Sequence, residues 1–508
     1  MPVCFVAKPP AMTAPPAQSH EHARTAVFSK LACDHMRARD QILVVRPGAA
    51  CEDTIMRLAA AQASCAIVID ATGRPIGILT ERDIALRVAY RVPGETPVER
   101  VMTSPVMTIR RRDYLYYAIA LMRRHGLRHM PVVDESGRLA GLLFLNDALA
   151  AADDQLMRRI DRLTNDGSLQ GLREIKAAQV DLAGDLLAEA LPAPDIQQLL
   201  TRINNDIYRR VGEAVVTRMA SEGWGDDPVP ACVIVMGSSG RGENFLSSDQ
   251  DNGIILADYP DHRHAQVDSF YRELAERLCR NLDAVGIPYC NGYCMAVNPL
   301  WRKSLAQWID QITLWGRKSN FVAIRLADIF FDFQPVWGRQ ALARDLRGHV
   351  TGLVRGNHHF LRQMFQDKTG HNVALGLFGA IMTEREKGDY RGQVNLKHAG
   401  TIPLVGAVRL LALREGVAET STLARIRALT HGGILARGES DDLTRAFDLV
   451  TVLLLRRQIA DFKSGQPVSY YVDPGRLDKA DREALRGALK TIDALRKRVH
   501  LEFTGQVF

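Results

Sequence analysis

One eleven-residue pattern of this chain occurs twice. Ile69-Asp70-Ala71-Thr72-Gly73-Arg74-Pro75-Ile76-Gly77-Ile78-Leu79 returns 64 residues later as Val133-Asp134-Glu135-Ser136-Gly137-Arg138-Leu139-Ala140-Gly141-Leu142-Leu143, and Asp83 is matched in the same register by Asp147. Self-similarity at a fixed offset without insertion marks duplicated architecture. Each copy reads as an apolar strand (Ala66 to Ile69; Met130 to Val133), an Asp-x-x-Gly turn, a second strand (Pro75 to Leu79; Leu139 to Phe144) and a helix. A helical pattern precedes each copy, Thr54 to Ala63 and Tyr114 to His125. A β-α-β-β-α unit of this size buries too little apolar surface alone, so the two copies should pack on each other.

The pattern resembles a tandem pair of CBS domains, here over residues 30–152. The resemblance implies a regulatory module that binds AMP, ADP or ATP in clefts between the copies. In that family a Thr or Ser, followed three positions on by an Asp, handles the ribose and phosphate. The first copy keeps this as Thr80-Glu81-Arg82-Asp83, whereas the second has Phe144 where the hydroxyl belongs and retains Asp147. The resemblance therefore implies nucleotide contacts at Thr80 and Asp83 in a competent cleft, and leaves Asp147 as the remaining nucleotide-binding candidate of the other, where occupancy stays open. The alternative for Asp83 is a plain helix N-cap, a role that Asp favours. The family also implies a homodimer formed through this module.

At 508 residues the chain is too long for one core, and about three domains are expected. A formal net charge of +7 is too small at this length to argue for nucleic acid, and 46% apolar with 24% charged residues is a globular composition. No apolar run approaches the ~18 residues of a membrane helix. Eight cysteines without a C-x-x-C pair make no disulfide framework. Cys290 and Cys294 are four apart but lack the second Cys/His pair of a zinc site. With no basic-then-apolar signal order at the start, a cytoplasmic protein is expected. Residues 1–29, rich in Pro, Ala and small polar residues, read as a loose tail. Helical spacing recurs from Leu156 through Ile160 and Leu163, and from Leu199 to Val215.

The chemistry is expected in the next segment. Ala231-Cys232-Val233-Ile234-Val235-Met236 reads as a buried strand and runs into Gly237-Ser238-Ser239-Gly240-Arg241-Gly242-Glu243. Ser248-Asp249-Gln250-Asp251 follows, then a second apolar strand from Gly253 to Leu256. Residues two apart in extended chain share a face, so Asp249 and Asp251 present paired carboxylates. Their repulsion is relieved by a divalent cation, and Mg²⁺ is usually held by one or two carboxylates plus substrate phosphates. The Gly-Ser turn offers backbone N–H groups and a hydroxyl to phosphate, and Arg241 adds a cation.

This ordered set of strand, Gly-Ser, Arg-x-Glu, Ser-Asp-x-Asp and strand resembles the polymerase-beta-like nucleotidyltransferase superfamily. The nearest likeness is to PII-protein uridylyltransferases, glutamine-synthetase adenylyltransferases and CBS-linked nucleotidyltransferases of less defined role. Two later stretches resemble those relatives as well. Phe330 to Gly338 is similar to the segment joining their catalytic and helical domains, and Val394-Asn395-Leu396-Lys397 is similar to their Asn-x-Lys element. The resemblance implies that Asp249 and Asp251 are catalytic and bind Mg²⁺. It places Gly237, Ser238, Arg241, Glu243, Asn395 and Lys397 at the NTP (ATP or UTP), with a protein as acceptor. It also implies a nucleotidyltransferase α/β domain over 153–344, and a C-terminal helical domain over 345–508 with helices such as Leu404 to Glu415 and Asp442 to Asp461. After Asn-x-Lys the relatives carry Gly-Gly-Leu-Arg-Asp where this chain has His398 to Pro403.

The third metal-facing carboxylate usual in the superfamily is expected on a strand near Pro288 to Ala296, a stretch with no acid. Asp310, Asp328 and Asp332 are the acids available to fold back. Trp301, Trp308 and Trp315 recur every seven residues and read as a packing seam. A nucleotidyltransferase regulated by adenosine nucleotides is the leading expectation, and a non-catalytic nucleotide sensor acting through partner contacts is the alternative.

Overall fold

The computed structural model describes residues 30–89, 91–150, 168–188, 190–318, 321–355, 357–367, 372–376, 379–385 and 388–504. The expected N-terminal tail and the helical spacing at Leu156, Ile160 and Leu163 lie outside the described residues. The chain divides into two compact units, Met1–Asp166 and Gly167–Phe508.

The first unit carries seven strands among its described residues: β1 (Arg37–Ala38), β2 (Leu43–Val45), β3 (Cys65–Ile69), β4 (Pro75–Thr80), β5 (Ile109–Arg110), β6 (His129–Val133) and β7 (Leu139–Phe144). They form one sheet of order β2-β3-β4 and another of order β1-β7-β6-β5. The duplication extends to register. β3 and β4 pair Cys65 with Thr80 and Val68 with Gly77 before a shift, and β6 and β7 pair His129 with Phe144 and Val132 with Gly141 before the same shift. Both turns are built alike. Asp70 Oδ1 accepts from the Thr72 and Arg74 N–H groups (2.8 and 2.9 Å) and the Thr72 hydroxyl (2.7 Å). Asp134 Oδ1 accepts from Ser136 and Arg138 N–H (2.8 and 3.0 Å) and the Ser136 hydroxyl (2.6 Å).

Strand β3 is apolar along its whole length because both its faces are covered. Ala66 and Val68 pack with Cys51 and Leu58 of the helix Cys51–Ala60, whereas Ile67 and Ile69 pack on Leu139 and Leu142 of the other copy. The Leu139 N–H donates to the Gly73 carbonyl (2.9 Å), which ties the second copy to the turn of the first.

The second unit opens with helices Leu169–Ala188 and Ala193–Ser221, which pack on each other and on His264–Val285. That third helix buries Val267, Phe270, Tyr271, Leu274, Leu278 and Leu282 at three- and four-residue spacing, and ends at Gly286 with φ +106°. Its sheet has the order β10-β9-β8-β11, with β8 (Ala231–Val235), β9 (Asn252–Leu256), β10 (Arg302–Ser304) and β11 (Gln334–Gly338). β8 runs antiparallel to β9 and β11, and β9 runs parallel to β10. The strand expected near Pro288 to Ala296 is absent: Asn291-Gly292 makes a turn there, and the neighbour of β9 is β10 instead. Trp301, Trp308 and Trp315 are buried together, with Trp308 stacked 5.0 Å from Phe330, so they are packing residues.

The remainder is helical at His358–Asp367, Ile402–Arg414, Thr422–His431, Arg437–Lys463 and Lys479–Thr504. A two-stranded ladder of β12 (Val394–Asn395) and β13 (Tyr471–Val472) interrupts it.

Lys176, in the helix Leu169–Ala188, is buried against the helix Ala193–Ser221, and among the described residues no carboxylate pairs with its ammonium. Nζ donates to Gln179 Oε1 (2.8 Å), the Leu246 carbonyl (3.0 Å) and Asn204 Oδ1 (3.3 Å). Burial pushes its pKa down to about 8. The folded value lies below the unfolded one, so between these values the unfolded chain binds more protons and stability rises with pH. Urea titrations at about pH 7 and pH 10 should show the native chain gaining on the order of 3 kcal/mol relative to Lys176→Met. Identical pH slopes for the two proteins would refute this.

Candidate functional site

The β8–β9 pairing continues one step past the strands, where the Met236 N–H donates to the Asp251 carbonyl (2.9 Å). The segment entering β9 alternates. Gln250 is fully buried, its amide donating to the Cys279 and Ile287 carbonyls (2.9 and 2.8 Å), which leaves Asp249 and Asp251 on the other side together. The two acids thus share a face, just ahead of the strand rather than within it. Gly237 sits opposite them at φ +57°, and a Cβ on it would stand 2.8 Å from Asp251 Oδ2. Only glycine lets the turn lie this close to the carboxylate. Burial and then the neighbouring Asp249 push the Asp251 carboxyl well above its usual range, with Lys397 pulling it back.

The turn itself is the short helix Gly237–Arg241. Ser238 and Ser239 both donate to Asn244 Oδ1 (3.3 and 2.9 Å). A Cβ on Gly240 would fall 1.6 Å from the Asp332 carbonyl oxygen, so this position is closed to any side chain. Arg241 and Glu243, expected at the triphosphate, are largely committed to one another and to the framework. Arg241 Nε donates to Glu243 Oε2 (2.6 Å) and Nη1 to Asp332 Oδ2 (2.8 Å), while Glu243 Oε1 accepts the Thr422 N–H (2.7 Å).

Asp332 is the centre of this framework. It is fully buried and faces three guanidiniums: Arg241, Arg409 of the helix Ile402–Arg414, and Arg425 of the helix Thr422–His431. Arg409 also pairs with Asp328. Arg425 Nη1 lies 2.8 Å from Asp332 Oδ1 outside hydrogen-bond geometry, so it contributes charge there rather than a bond. Three cations and the three carboxylates of Asp328, Asp332 and Glu243 balance by count. Against the burial that would raise it, these arginines hold the Asp332 carboxyl far below the usual carboxylate range. Sequence reasoning missed this role. The one signal was an acid set inside the aromatic run Phe330-Phe331-Asp332-Phe333, where an unpaired charge would be prohibitive.

A cavity of about 280 Å³ lies between the turn and the helices, and Gly237, Ser238, Asp249, Asp328, Lys397 and Tyr470 are among its walls. Lys397 Nζ rests 4.1 Å from the Tyr470 ring centroid. Asn395 Oδ1 accepts the His398 N–H (3.1 Å) and so shapes the loop behind Lys397 without lining the cavity. Of the acids considered for a third metal position, Asp332 is consumed by arginines, Asp310 is exposed on the helix Leu305–Lys318, and Asp328 lines the cavity paired with Arg409. Beside Asp251 stand the thiols of Cys290 and Cys294 instead, its ligand oxygen and their sulfurs lying within 4.8 Å of one another.

In the first unit Thr80 and Asp83 meet directly. Asp83 Oδ2 accepts the Thr80 N–H (3.0 Å) and hydroxyl (2.7 Å), and Oδ1 accepts the Thr103 hydroxyl (3.0 Å). This is a helix capping box in which Thr80 is the N-cap and Asp83 the third helical residue, so Asp83 helps to cap the helix without being the N-cap expected. In the second copy Phe144 lies under Arg37 (4.1 Å) and edge-on to His129 (5.3 Å), and Asp147 pairs with Arg37 (3.3 Å). A depression of about 530 Å³ beside Arg39, Leu43 and Arg57 touches none of Thr80, Asp83 or Asp147. Among the described residues no helix is long and apolar enough to cross a membrane.

Removing the central carboxylate leaves three buried guanidiniums short of one partner, a change that costs about 3–5 kcal/mol. Asp332→Asn should lower the urea midpoint of the second unit accordingly. Because the Asp332 pKa is depressed, its contribution is complete above the unfolded carboxylate range and fades as pH falls below it. Acid unfolding should therefore separate native chain and variant least at the lowest pH, and equal stability at neutral pH would remove the network from its bracing role.

Comparison with known proteins follows these boundaries. Residues 34–90 and 98–154 match the family "CBS domain", residues 177–321 match "Putative nucleotidyltransferase DUF294", and residues 358–503 match "Putative nucleotidyltransferase substrate binding domain". An uncharacterized 17.7 kDa protein of Acidianus ambivalens is 29% identical over 117 residues, 23% of this chain and 71% of that protein. Inosine-5'-monophosphate dehydrogenase of Mycobacterium bovis is 30% identical over 129 residues, 25% of this chain but only 22% of the dehydrogenase. Among solved structures, CBSX2 of Arabidopsis thaliana is 23% identical with a TM-score of 0.22, covering 26% of this chain and 98% of that one. The chain thus joins a pair of CBS domains to a nucleotidyltransferase-like domain of the DUF294 type and the helical domain that accompanies it.

Proposed function

We propose that the second unit is a polymerase-beta-like nucleotidyltransferase, similar to PII-protein uridylyltransferases, that moves an NMP group from ATP or UTP to a protein acceptor. The observation that carries this reading is the convergence of Gly237, Ser238, Asp249 and Lys397 on one cavity, with Asp251 directly behind Gly237. An acceptor hydroxyl, such as that of a tyrosine, attacks the α-phosphorus. The bond to the acceptor oxygen forms as the bond to the β-phosphate oxygen breaks, and pyrophosphate leaves.

The donor set fits Mg²⁺ in its first two positions, because two carboxylates sharing a face, one with a raised pKa, are relieved by a hard divalent cation. Asp249 and Asp251 would hold it, and when bound it would neutralise the triphosphate and polarise the α-phosphoryl group. The chain's own groups do the rest. The N–H groups at the start of the turn bind phosphate oxygens, the Ser238 hydroxyl joins them by exchanging its bond to Asn244 for one to phosphate, and Lys397 stabilises charge on the leaving pyrophosphate. Arg241 acts here mainly by holding the turn, since two of its donors are already engaged. Incubation with labelled ATP or UTP, Mg²⁺ and cell extract should label a protein, and Asp249→Ala with Asp251→Ala should reduce labelling about a hundredfold or more. Label that is absent, or indifferent to both substitutions, rejects the reading.

One observation favours a second reading, a catalytically silent sensor: cysteines stand beside Asp251 where relatives place a third acid. It predicts nucleotide binding without pyrophosphate release. In both readings the first copy of the CBS pair takes AMP, ADP or ATP through Thr80 and Asp83, two chains pair through that module, and the Phe144 cleft stays empty. Calorimetry with AMP should show binding that is lost in Asp83→Ala and kept in Asp147→Ala. Equal loss in both variants would contradict the assignment of the cleft.

A further inference from the structure

We infer that Asp251, Cys290 and Cys294 together form a binding site for a thiophilic divalent cation of the Zn²⁺ class. Among the described residues they are the one set of three metal-ligating side chains that converge, each pair of ligand atoms lying within 4.8 Å. A tetrahedral zinc with sulfur ligands at about 2.3 Å and a carboxylate oxygen at about 2.0–2.2 Å spaces its donors by roughly 3.5–3.8 Å. Closing from the observed spacing therefore needs side-chain movements of about 1 Å or less.

The loop is shaped around the two sulfurs. The Gly292 N–H donates to Cys290 Sγ (3.3 Å), and Cys294 Sγ faces the Gly292 carbonyl (3.6 Å). A Cβ built on Gly292 would stand 3.4 and 3.6 Å from the two sulfurs, so the loop backbone lies against both. Tyr293 holds the left-handed φ of +55° that the turn between the cysteines requires, an unfavourable conformation for a bulky residue. The loop is anchored at both ends, because the Gln250 N–H donates to the Pro288 carbonyl (2.9 Å) and the Asn252 N–H to the Cys294 carbonyl (2.9 Å).

Two thiols and one carboxylate are soft-to-borderline donors, poorly matched to Mg²⁺ and well matched to Zn²⁺. Binding forms two metal–thiolate bonds and one metal–carboxylate bond, with any proton held by these groups released to solvent, and leaves the fourth position open. Since Asp251 belongs to both sites, a bound thiophilic cation draws this carboxylate away from the nucleotide cavity. That consequence rests on the proposed nucleotide site, whereas the binding itself does not.

The test titrates Co²⁺ into the full-length chain under reducing conditions. Expected is a near-ultraviolet thiolate-to-cobalt absorption that saturates at one equivalent and is displaced by Zn²⁺. Cys290→Ser with Cys294→Ser should abolish the band, and Cys294→Ala alone should halve it. Circular dichroism of each variant monitors folding. Asp251→Asn should weaken affinity about tenfold or more while keeping the band. A native chain without the band overturns the inference, and so does a band unchanged in the double variant, which would assign it to other cysteines. Label transfer and this absorption are read separately, so an absent transferase activity with an intact band counts against the proposed function alone.

Discussion

A single buried carboxylate holds the second unit in its working shape. Asp332 lies in the turn between the helix Phe321–Phe330 and β11, and its three arginines come from the Gly-Ser turn and from two different helices of the C-terminal half. Charges this deep are tolerated only when paired and bonded, so the geometry of the cluster dictates how far apart these elements can lie. Around it run shorter ties in the same direction. The Thr420 hydroxyl donates to the Gly240 carbonyl (2.8 Å), Glu243 accepts the Thr422 N–H (2.7 Å) and the Tyr470 hydroxyl donates to the Ser247 carbonyl (3.1 Å). The cavity exists because these contacts bring Lys397 and Tyr470 over the turn.

The cluster also explains the division of labour among polar groups near the cavity. Arg241 looks, as sequence, like a ligand for phosphate, yet although it and Glu243 line the cavity, their charges are engaged with one another and with the framework. Ser238, Asp249 and Lys397 line the same cavity. A buried arginine between two acids orders a turn, and an ordered turn presents its N–H groups without further cost in entropy.

Much of the fold was legible because it follows from periodicity and turn chemistry. The CBS pair could be read from one repeated turn, because Asp-x-Thr/Ser-Gly between two apolar strands makes the same side-chain bonds in both copies, at Asp70 and at Asp134. The strand entering Gly237 and the face shared by Asp249 and Asp251 were equally local matters. The strand expected at Pro288 to Ala296 failed because Asn291-Gly292 is a turn former, and the parallel partner of β9 comes from further along the chain. Thr80 and Asp83 illustrate a different limit: they form a helix capping box, and the same spacing would serve the proposed ligand site, so local spacing cannot separate the two.

By itself the sequence determined the elements and the chemistry of their ends: the duplicated unit, the glycine-serine bend, the paired acids and the helical C-terminal half. These depend on neighbours within a few residues, where dihedral preference and side-chain alternation decide the outcome. Tertiary structure alone decided which charges are spent and which remain available. Asp332 meets Arg409 and Arg425 across more than seventy residues of chain, and Asp251 meets Cys290 and Cys294 across about forty. Pairings of that range follow from how whole elements pack, and no spacing along the chain encodes them.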